Sequence, residues 1–283
     1  MSEPALEPEI LVALEATGLR PLAWACLSNL RSPIIDRTAY RIETQDKTLK
    51  ARRLESEAAA VNLTEVRREL PEAFAPVLAR HGRVLLEEWI AGEVLGAAPP
   101  RRYLEEAGAL LGELHARRSL GPKVLHALCA TAGHRSIAVR ALRHLRATGH
   151  LPGGQAVALA RAMRRLDPGR GRHGLIHFDF CGENMVVDEA GHLHVVDNER
   201  VTVDALGFDL ARAWYRWNLA ARDWECFRQA YAERLTFREE EKSFDFWRLV
   251  AVARAAALRT RVAPEKASVP IACLRALAEE LAS

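Results

Sequence analysis

The 283-residue chain has no CxxC pair, no internal repeat and no low-complexity tract. No stretch approaches the ~20 consecutive apolar residues that a membrane-spanning helix needs. Its five cysteines (Cys26, Cys129, Cys181, Cys226 and Cys273) are odd in number and scattered. That spacing argues against structural zinc and a disulfide framework, and it suits a reducing compartment. Excess charge is also scarce: the formal net charge is +3, too small a field to imply nucleic acid or an anionic membrane as partner. Arginines do gather in RAMRRLDPGRGRHG (161–174), but no aromatics interleave them, so a solvated face explains them better than an RNA site. The acidic start MSEPALEPEI is unlike a signal peptide, and the expected location is cytoplasmic. Between Cys26 and Tyr40 there is no glycine.

Against those absences stands an average globular composition, 49% hydrophobic and 27% charged, in a chain long enough for one or two domains with a substantial core. The most informative segment is LIHFDFCGENMVVDEAGHLHVVDNER, residues 175–200. Leu175 and Ile176 read as the end of a buried approach, and HFDFCGEN as a loop. Met185–Val187 reads as a short strand, Glu189–Gly191 as a turn, and Leu193–Val196 as the return strand. Alternation puts Leu193, Val195 and Asp197 on one face and His192, His194 and Val196 on the other. Asn184 and Asp197 then fall at the open end of one hairpin, with the loop carrying Asp179 leading into it. Asp179 can accept a proton from a hydroxyl, and Asn184 and Asp197 can hold Mg²⁺ on a nucleoside triphosphate, because Mg²⁺ favours hard oxygen ligands. A surface hairpin with ordinary polar ends is the competing reading. His173, His177, His192 and His194 lack a metal-site pattern, and Cys181 reads as a small packed side chain rather than a reactive thiol.

HFDFCGEN resembles the H-x-D-x-x-x-x-N loop of the aminoglycoside phosphotransferase and choline kinase family, which is related in fold to protein kinases. VVDNE resembles that family's hydrophobic-hydrophobic-Asp-aromatic-Glu segment, GFDLARAW its Asp-Leu-Ala helix start, YLEEAGALLGELHA its Leu-Gly-x-Leu-His helix, and LLEEWIAGEVL its strand and hinge. The resemblance spans roughly residues 38 to 215. It implies an α+β, two-lobed protein-kinase-like fold, with a small N-terminal β-sheet nucleotide-binding lobe (1–90) and a larger, mainly helical catalytic and substrate-binding lobe (91–283). It further implies Asp179 as the proton acceptor, Asn184 and Asp197 as metal ligands, Asp209 as the brace of the catalytic loop, and His177 as a residue that orders this loop through hydrogen bonds.

The N-terminal region is read against the same template. TAYRIET (38–44), a turn at Gln45-Asp46, and KTLKARRL (47–54) form two strands. The resemblance implies a lysine on the second that contacts the α and β phosphates and pairs with a helix glutamate. Lys50 and Glu57 are the candidates, with Lys47, Arg52 and Glu55 near enough to compete. Related kinases place a glycine-rich turn over the phosphates. The glycine-free LSNLRSPIIDRTAY offers instead Ser28, Asn29, Ser32 and Thr38 as donors, and Arg31 and Arg37 as positive charge. At the hinge, the resemblance gives the Glu88 carbonyl and the Ile90 amide to the adenine edge.

Beyond the hinge the chain reads as helical: Arg101–Arg118, a helix after Gly153 that ends near Asp167, the aromatic-rich stretch Phe208–Phe227, Phe244–Val262 and Ile271–Leu281. Aminoglycoside kinases need an acidic pocket for polycationic sugars, yet DLARAWYRWNLAARDW is aromatic and basic. Arg212 and Arg216, one turn apart, are the substrate candidates, and arginine favours carboxylate or phosphate. The expected function is Mg²⁺-dependent transfer of the γ-phosphoryl group of ATP, or of another nucleoside triphosphate, to a small-molecule hydroxyl. A sugar, an amino alcohol or an aminoglycoside-like compound would serve as acceptor. No nucleic acid or membrane partner is expected, and a homodimer is left open. The alternatives are a nucleotide-binding pseudokinase with a regulatory role and a protein kinase, the latter disfavoured because no Ala-Pro-Glu-like activation-segment end follows Asp197.

Overall fold

The computed structural model describes residues 5–27, 38–69, 71, 74–96, 98–117, 128–198, 200–236 and 238–281. They belong to two compact units: Met1–Leu95 with Glu183–Glu199, and Gly96–Gly182 with Arg200–Ser283. The sequence places a single boundary near residue 90, whereas the chain passes between units after Leu95, Gly182 and Glu199, and the hairpin beyond Gly182 belongs with the N-terminal residues.

In chain order, the first unit holds α1 (Pro8–Ala16), β1 (Ala23–Cys26), β2 (Thr38–Glu43), β3 (Thr48–Arg53), α2 (Glu57–Glu69), β4 (Val77–His81), β5 (Val84–Glu88) and β6 (Glu93–Val94). The second contributes α3 (Arg101–Ala116), β7 (Leu128–Ala130), α4 (Ala132–Ala147), α5 (Gly153–Arg165) and β8 (Arg170–Ile176). The first unit then regains the chain for β9 (Met185–Val187) and β10 (Leu193–Val195). The second completes with β11 (Thr202–Ala205), α6 (Leu206–Trp217), α7 (Ala221–Arg234), α8 (Arg238–Lys242), α9 (Phe244–Val262) and α10 (Ser268–Glu280). The architecture is α+β, an antiparallel N-terminal sheet and a larger, mainly helical part.

The five-stranded sheet has the order β1-β2-β3-β5-β4. Its period-two alternation decides which residues are sealed and which are usable. Tyr40 and Ile42, Leu49 and Ala51, and Val84 and Leu86 point to one face and pack against Ile10, Ala13 and Leu14 of α1. Proline at the start of α1 fits the first helical turn, where its missing N–H has no intrahelical role. Each large aliphatic side chain sealed there contributes about 1.5–3 kcal/mol. The alternation that hides those residues leaves Lys50, Arg52 and Glu87 to the opposite face, with Lys50 directly across from Glu87.

The helical unit is built around α9, buried nearly all round through Phe246, Trp247, Leu249, Val250, Ala251, Val252, Ala253 and Ala256. Helices α3 and α7 pack closely because α3 carries glycine at the contact. A Cβ on Gly108 would lie 2.2 Å from the Phe227 carbonyl oxygen. A three-stranded sheet, β11-β8-β7, has β8 at its centre and delivers the chain to His177. Among the described residues no helix is long and apolar enough to cross a membrane.

Candidate active site

In the helical unit, Thr202 of β11 pairs with Ile176 at the end of β8. Extending this antiparallel register brings Arg200 beside Phe178, whose ring lies 3.8 Å from the Arg200 guanidinium. Helix α6 starts directly after β11, so Asp209, in its first turn, comes under the loop that follows β8. Asp209 is wholly buried. Its carboxylate accepts the backbone N–H of His177 at 2.8 Å and of Phe178 at 2.7 Å. The His115 ring Nε2 lies 3.1 Å from the same carboxylate, and its Nδ1 lies 2.9 Å from the Tyr231 hydroxyl. A buried charge is tolerated when hydrogen bonds replace its lost water, and a helix N-terminus favours an anion. These contacts hold Phe178 at φ +71°, a left-handed conformation costly for an aromatic residue. His177, also buried, accepts the Asp179 N–H through Nδ1 at 3.3 Å. Gly182 ends the loop where only glycine fits, since a Cβ would lie 1.9 Å from the Gly96 carbonyl oxygen.

The Asp179 side chain, 24% exposed, meets two arginines of α6. Arg212 and Arg216 are one turn apart on a single face, and both donate to Asp179 Oδ1, Arg212 through Nη2 at 3.2 Å and Arg216 through Nε at 3.0 Å. Arg212 also donates to the Phe178 carbonyl oxygen at 2.5 Å, and its guanidinium lies 4.5 Å from the Phe178 ring. Burial pushes the Asp179 pKa up, but the charges of Arg216, Arg212 and Arg200, with His177, outweigh it and hold the carboxyl below its ordinary range.

In the sheet unit, β9 and β10 form the expected hairpin, with Leu193 opposite Val187 and Val195 opposite Met185. The Val196 N–H donates to the Asn184 carbonyl oxygen at 2.9 Å, which ties Asn184 to the residue before Asp197. Asp197 takes φ +60°, so the strand alternation stops there. Its side chain is 45% exposed and accepts the Lys50 ammonium at 2.9 Å, with Arg52 Nη1 at 3.8 Å. Burial, then the neighbouring Arg52 charge, pulls the Lys50 pKa down, and Asp197 and Glu87 only partly resist this. Arg52 Nε donates to Glu87 at 3.0 Å, and Arg67 of α2 pairs with the same carboxylate. Arg67 also donates to the Asn198 side chain and to the Ala75 carbonyl oxygen, the latter at 3.1 Å. Burial raises the Glu87 pKa, but Arg52, Arg67 and Lys50 together bring it below its usual value.

The carboxylate next to Lys50 on its own sheet therefore comes from β5 and not from α2. Glu57, the expected partner, lies in the first turn of α2, 68% exposed, and pairs with Arg80 at 3.2 Å. The reason is helical phase: α2 turns Ala60, Leu63 and Arg67 inward, leaving Glu57 in solvent, where an acid suits the helix N-terminus. Glu88 ends β5, is exposed, and donates its N–H to the Pro76 carbonyl oxygen at 3.0 Å. Ile90 is half-buried between β5 and β6. Ser28, Asn29, Arg31, Ser32 and Arg37 of the glycine-free segment lie outside the described residues. Cys181 is buried. His192 and His194 serve the hairpin turn by contacting Asp188, and His173 joins His134 around Asp204.

The phosphotransferase enzyme family model (APH) matches residues 35–248. The chain belongs to this family. It is thus a phosphotransferase enzyme, and its fold is the protein-kinase-like one. A choline kinase from Streptococcus pneumoniae superposes with a TM-score of 0.69 at 14% identity, covering 94% of this chain and 95% of that one. Spectinomycin phosphotransferase in complex with ADP and spectinomycin superposes with a TM-score of 0.66 at 11% identity, with 94% of each chain covered. A choline kinase from Cryptosporidium parvum gives 0.64 at 10% identity, over 92% of this chain and 90% of that one. No curated protein matches the sequence.

Proposed function

We propose that the protein transfers the γ-phosphoryl group of ATP, or of another nucleoside triphosphate, to a hydroxyl of a small molecule. In the proposed reaction Asp179 orients the acceptor hydroxyl and takes its proton. The acceptor oxygen bonds to Pγ as the bond from Pγ to the β–γ bridging oxygen breaks, and the electron pair leaves with the nucleoside diphosphate. Lys50 steadies the α and β phosphates, and the Glu88 carbonyl and Ile90 amide meet the base edge. Positioning and electrostatic stabilisation would supply most of the rate.

The observation that carries this reading is the 2.9 Å pairing of Lys50 with Asp197 in a chain of the phosphotransferase family. The strand lysine is thereby held beside the carboxylate that closes the hairpin. Asn184 and Asp197 fit Mg²⁺ by donor chemistry: a carboxamide oxygen and a half-exposed carboxylate are hard ligands, and the two residues flank neighbouring hairpin strands. When bound, Mg²⁺ would neutralise charge on the β and γ phosphates. ADP in the spectinomycin phosphotransferase complex, and choline kinases among the neighbours, support an adenine nucleotide as donor and a hydroxylated small molecule as acceptor. A cytoplasmic location is part of the proposal, supported by five scattered cysteines.

The test is ADP formation from Mg²⁺-ATP over a panel of hydroxylated compounds, with calorimetric titration of the nucleotide alongside. The Asp179→Ala variant should lose turnover by about 10²–10⁴-fold, the range for a positioned general base, while nucleotide affinity stays within a few-fold. Undiminished turnover in that variant would sink the assignment. Nucleotide binding without turnover across the panel would favour the regulatory pseudokinase.

A further inference from the structure

We infer that Arg67 of α2 is a positioning residue for the metal and the nucleotide phosphates, acting through Glu87 on Lys50 and through Asn198 on Asp197. The inference rests on the reading of Lys50 and Asp197 as phosphate and metal groups. Ala60, Leu63 and Arg67 form the inward stripe of α2 at helical spacing, and all three are buried. Two of them are apolar. The third is a guanidinium taken out of water, which is tolerated only where hydrogen bonds and an opposite charge replace that water. Arg67 has both. Its Nη1 pairs with the Glu87 carboxylate and donates to the Ala75 carbonyl oxygen at 3.1 Å, and its Nη2 donates to the Asn198 side-chain oxygen.

Each branch of this fork ends beside a group of the proposed reaction. Glu87 lies opposite Lys50 in the β3–β5 register and also takes Arg52 Nε at 3.0 Å, so it fastens α2 to the strand that carries the lysine. A helix that presents a cation cannot hold Lys50 directly, because like charges repel. An acid must stand between them, and buried Glu87 is that acid, whereas Glu57 of the same helix pairs with Arg80 in solvent. On the other branch, Asn198 is buried and directly follows Asp197. Asp197 is half-exposed and takes φ +60°, so the backbone on its two sides fixes where its carboxylate points. On one side the Val196 N–H donates to the Asn184 carbonyl oxygen at 2.9 Å; on the other, Asn198 is held by Arg67. An outer partner of this kind sets the aim of a metal ligand without touching the metal. Arginine suits the place because its planar fork offers donors in fixed directions, which the single ammonium of lysine does not.

The decisive experiment is calorimetric titration of the full chain with ATP, once with Mg²⁺ and once with EDTA. Asn198→Ala removes one branch and leaves the buried Arg67–Glu87 pair in place. Its affinity for Mg²⁺-ATP should fall about 10–100-fold, the range for losing an outer partner of a metal ligand, with a much smaller change in EDTA. Arg67→Lys keeps the charge and loses the fork, and it should weaken Mg²⁺-ATP binding at least as much. Arg68→Gln, on the exposed face of α2, should not weaken it. A merely structural role would lower the fraction of protein that binds and leave the affinity of the folded fraction unchanged; that result overturns the inference. Equal weakening of Asn198→Ala with and without Mg²⁺ also overturns it. Either result leaves the kinase reading standing. If wild type binds Mg²⁺-ATP but turns over no acceptor, the kinase reading fails while the measured affinities still decide the inference. A wild type that binds no nucleotide ends both. Should Arg67→Lys fail to fold, Asn198→Ala decides alone.

Discussion

Asp197 in the sheet unit and Asp179 in the helical unit are each approached by two cations, yet the two carboxylates sit in different electrostatic company. Around Asp197 the cations belong to a longer chain: Lys50 and Arg52 lead to buried Glu87, which also holds Arg67, which in turn holds Asn198. Acid and base alternate, and a buried carboxylate takes up most of the positive charge. Around Asp179, the guanidinium groups of Arg212 and Arg216 converge on one carboxylate oxygen, and Arg200 lies close by against the Phe178 ring. The first arrangement is a structural network with one exposed end. The second is a partly exposed acid held by two arginines one turn apart on α6. Burial, read separately for each unit, thus distinguishes a sealed network from an acid that still meets solvent.

The sharpest way to break the comparison is to remove the balancing acid. Glu87→Gln leaves Arg52 and Arg67 buried without their carboxylate, and breaking a buried pair from one side costs about 3–5 kcal/mol. Chemical or thermal unfolding of the variant should show a loss of that size. Asp179→Asn removes an acid that is partly exposed, and between cations its loss should cost about 1–2 kcal/mol, between the surface and buried cases. Equal losses in the two variants would erase the distinction between the buried network and the partly exposed acid.

Much of the sheet unit's chemistry was legible in the sequence because strands and hairpins carry period-two signals. KTLKARRL gave β3, and MVV with LHVV gave the hairpin with Asn184 and Asp197 at its ends. The failure at Glu57 is one of phase. A short alanine-rich helix has few apolar markers to say which face is inward, and Arg67 at the inward position looks like a surface charge. Glu87 was hidden for a similar reason. In VLLEEW two adjacent glutamates read as a strand turning polar, and only the β3–β5 register shows that the first is buried opposite Lys50. Arg200 gave no local signal either, since it meets Phe178 through the β8–β11 pairing. Helix α1 was also missed, its nine residues being too few for a clear period. Arg212 and Arg216 were visible because i and i+4 share a helix face, but their convergence on Asp179 is a tertiary fact.

A smaller effect sharpens the Asp179 side. With its pKa held below the ordinary carboxylate value, Asp179 contributes stability that is complete above the unfolded pKa, near 3.8, and is lost as pH falls through the lower folded value. Any acid limb of activity from this group therefore lies below pH 3.8 in the free enzyme. Removing one cation in Arg216→Gln should move the Asp179 titration upward, followed by carbon NMR of the side-chain carboxyl. An unchanged titration would mean that Arg216 does not set this acid's charge state.

The smallest expected effect separates arginine charge from hydrogen bonding as the cause of a depressed carboxyl. Asp188, at the turn of the hairpin, is lowered to about 2, first by the hydrogen bond with the His194 ring and then by the His192 backbone N–H. No arginine is among the causes of that shift. Its contribution to stability is present above the unfolded pKa of 3.8 and lost as pH falls through about 2. His194→Gln should raise the Asp188 titration towards 3.8 and leave Asp179 unmoved, just as Arg216→Gln should move Asp179 alone. Movement of both carboxyls in either variant would show that the two shifts share a cause.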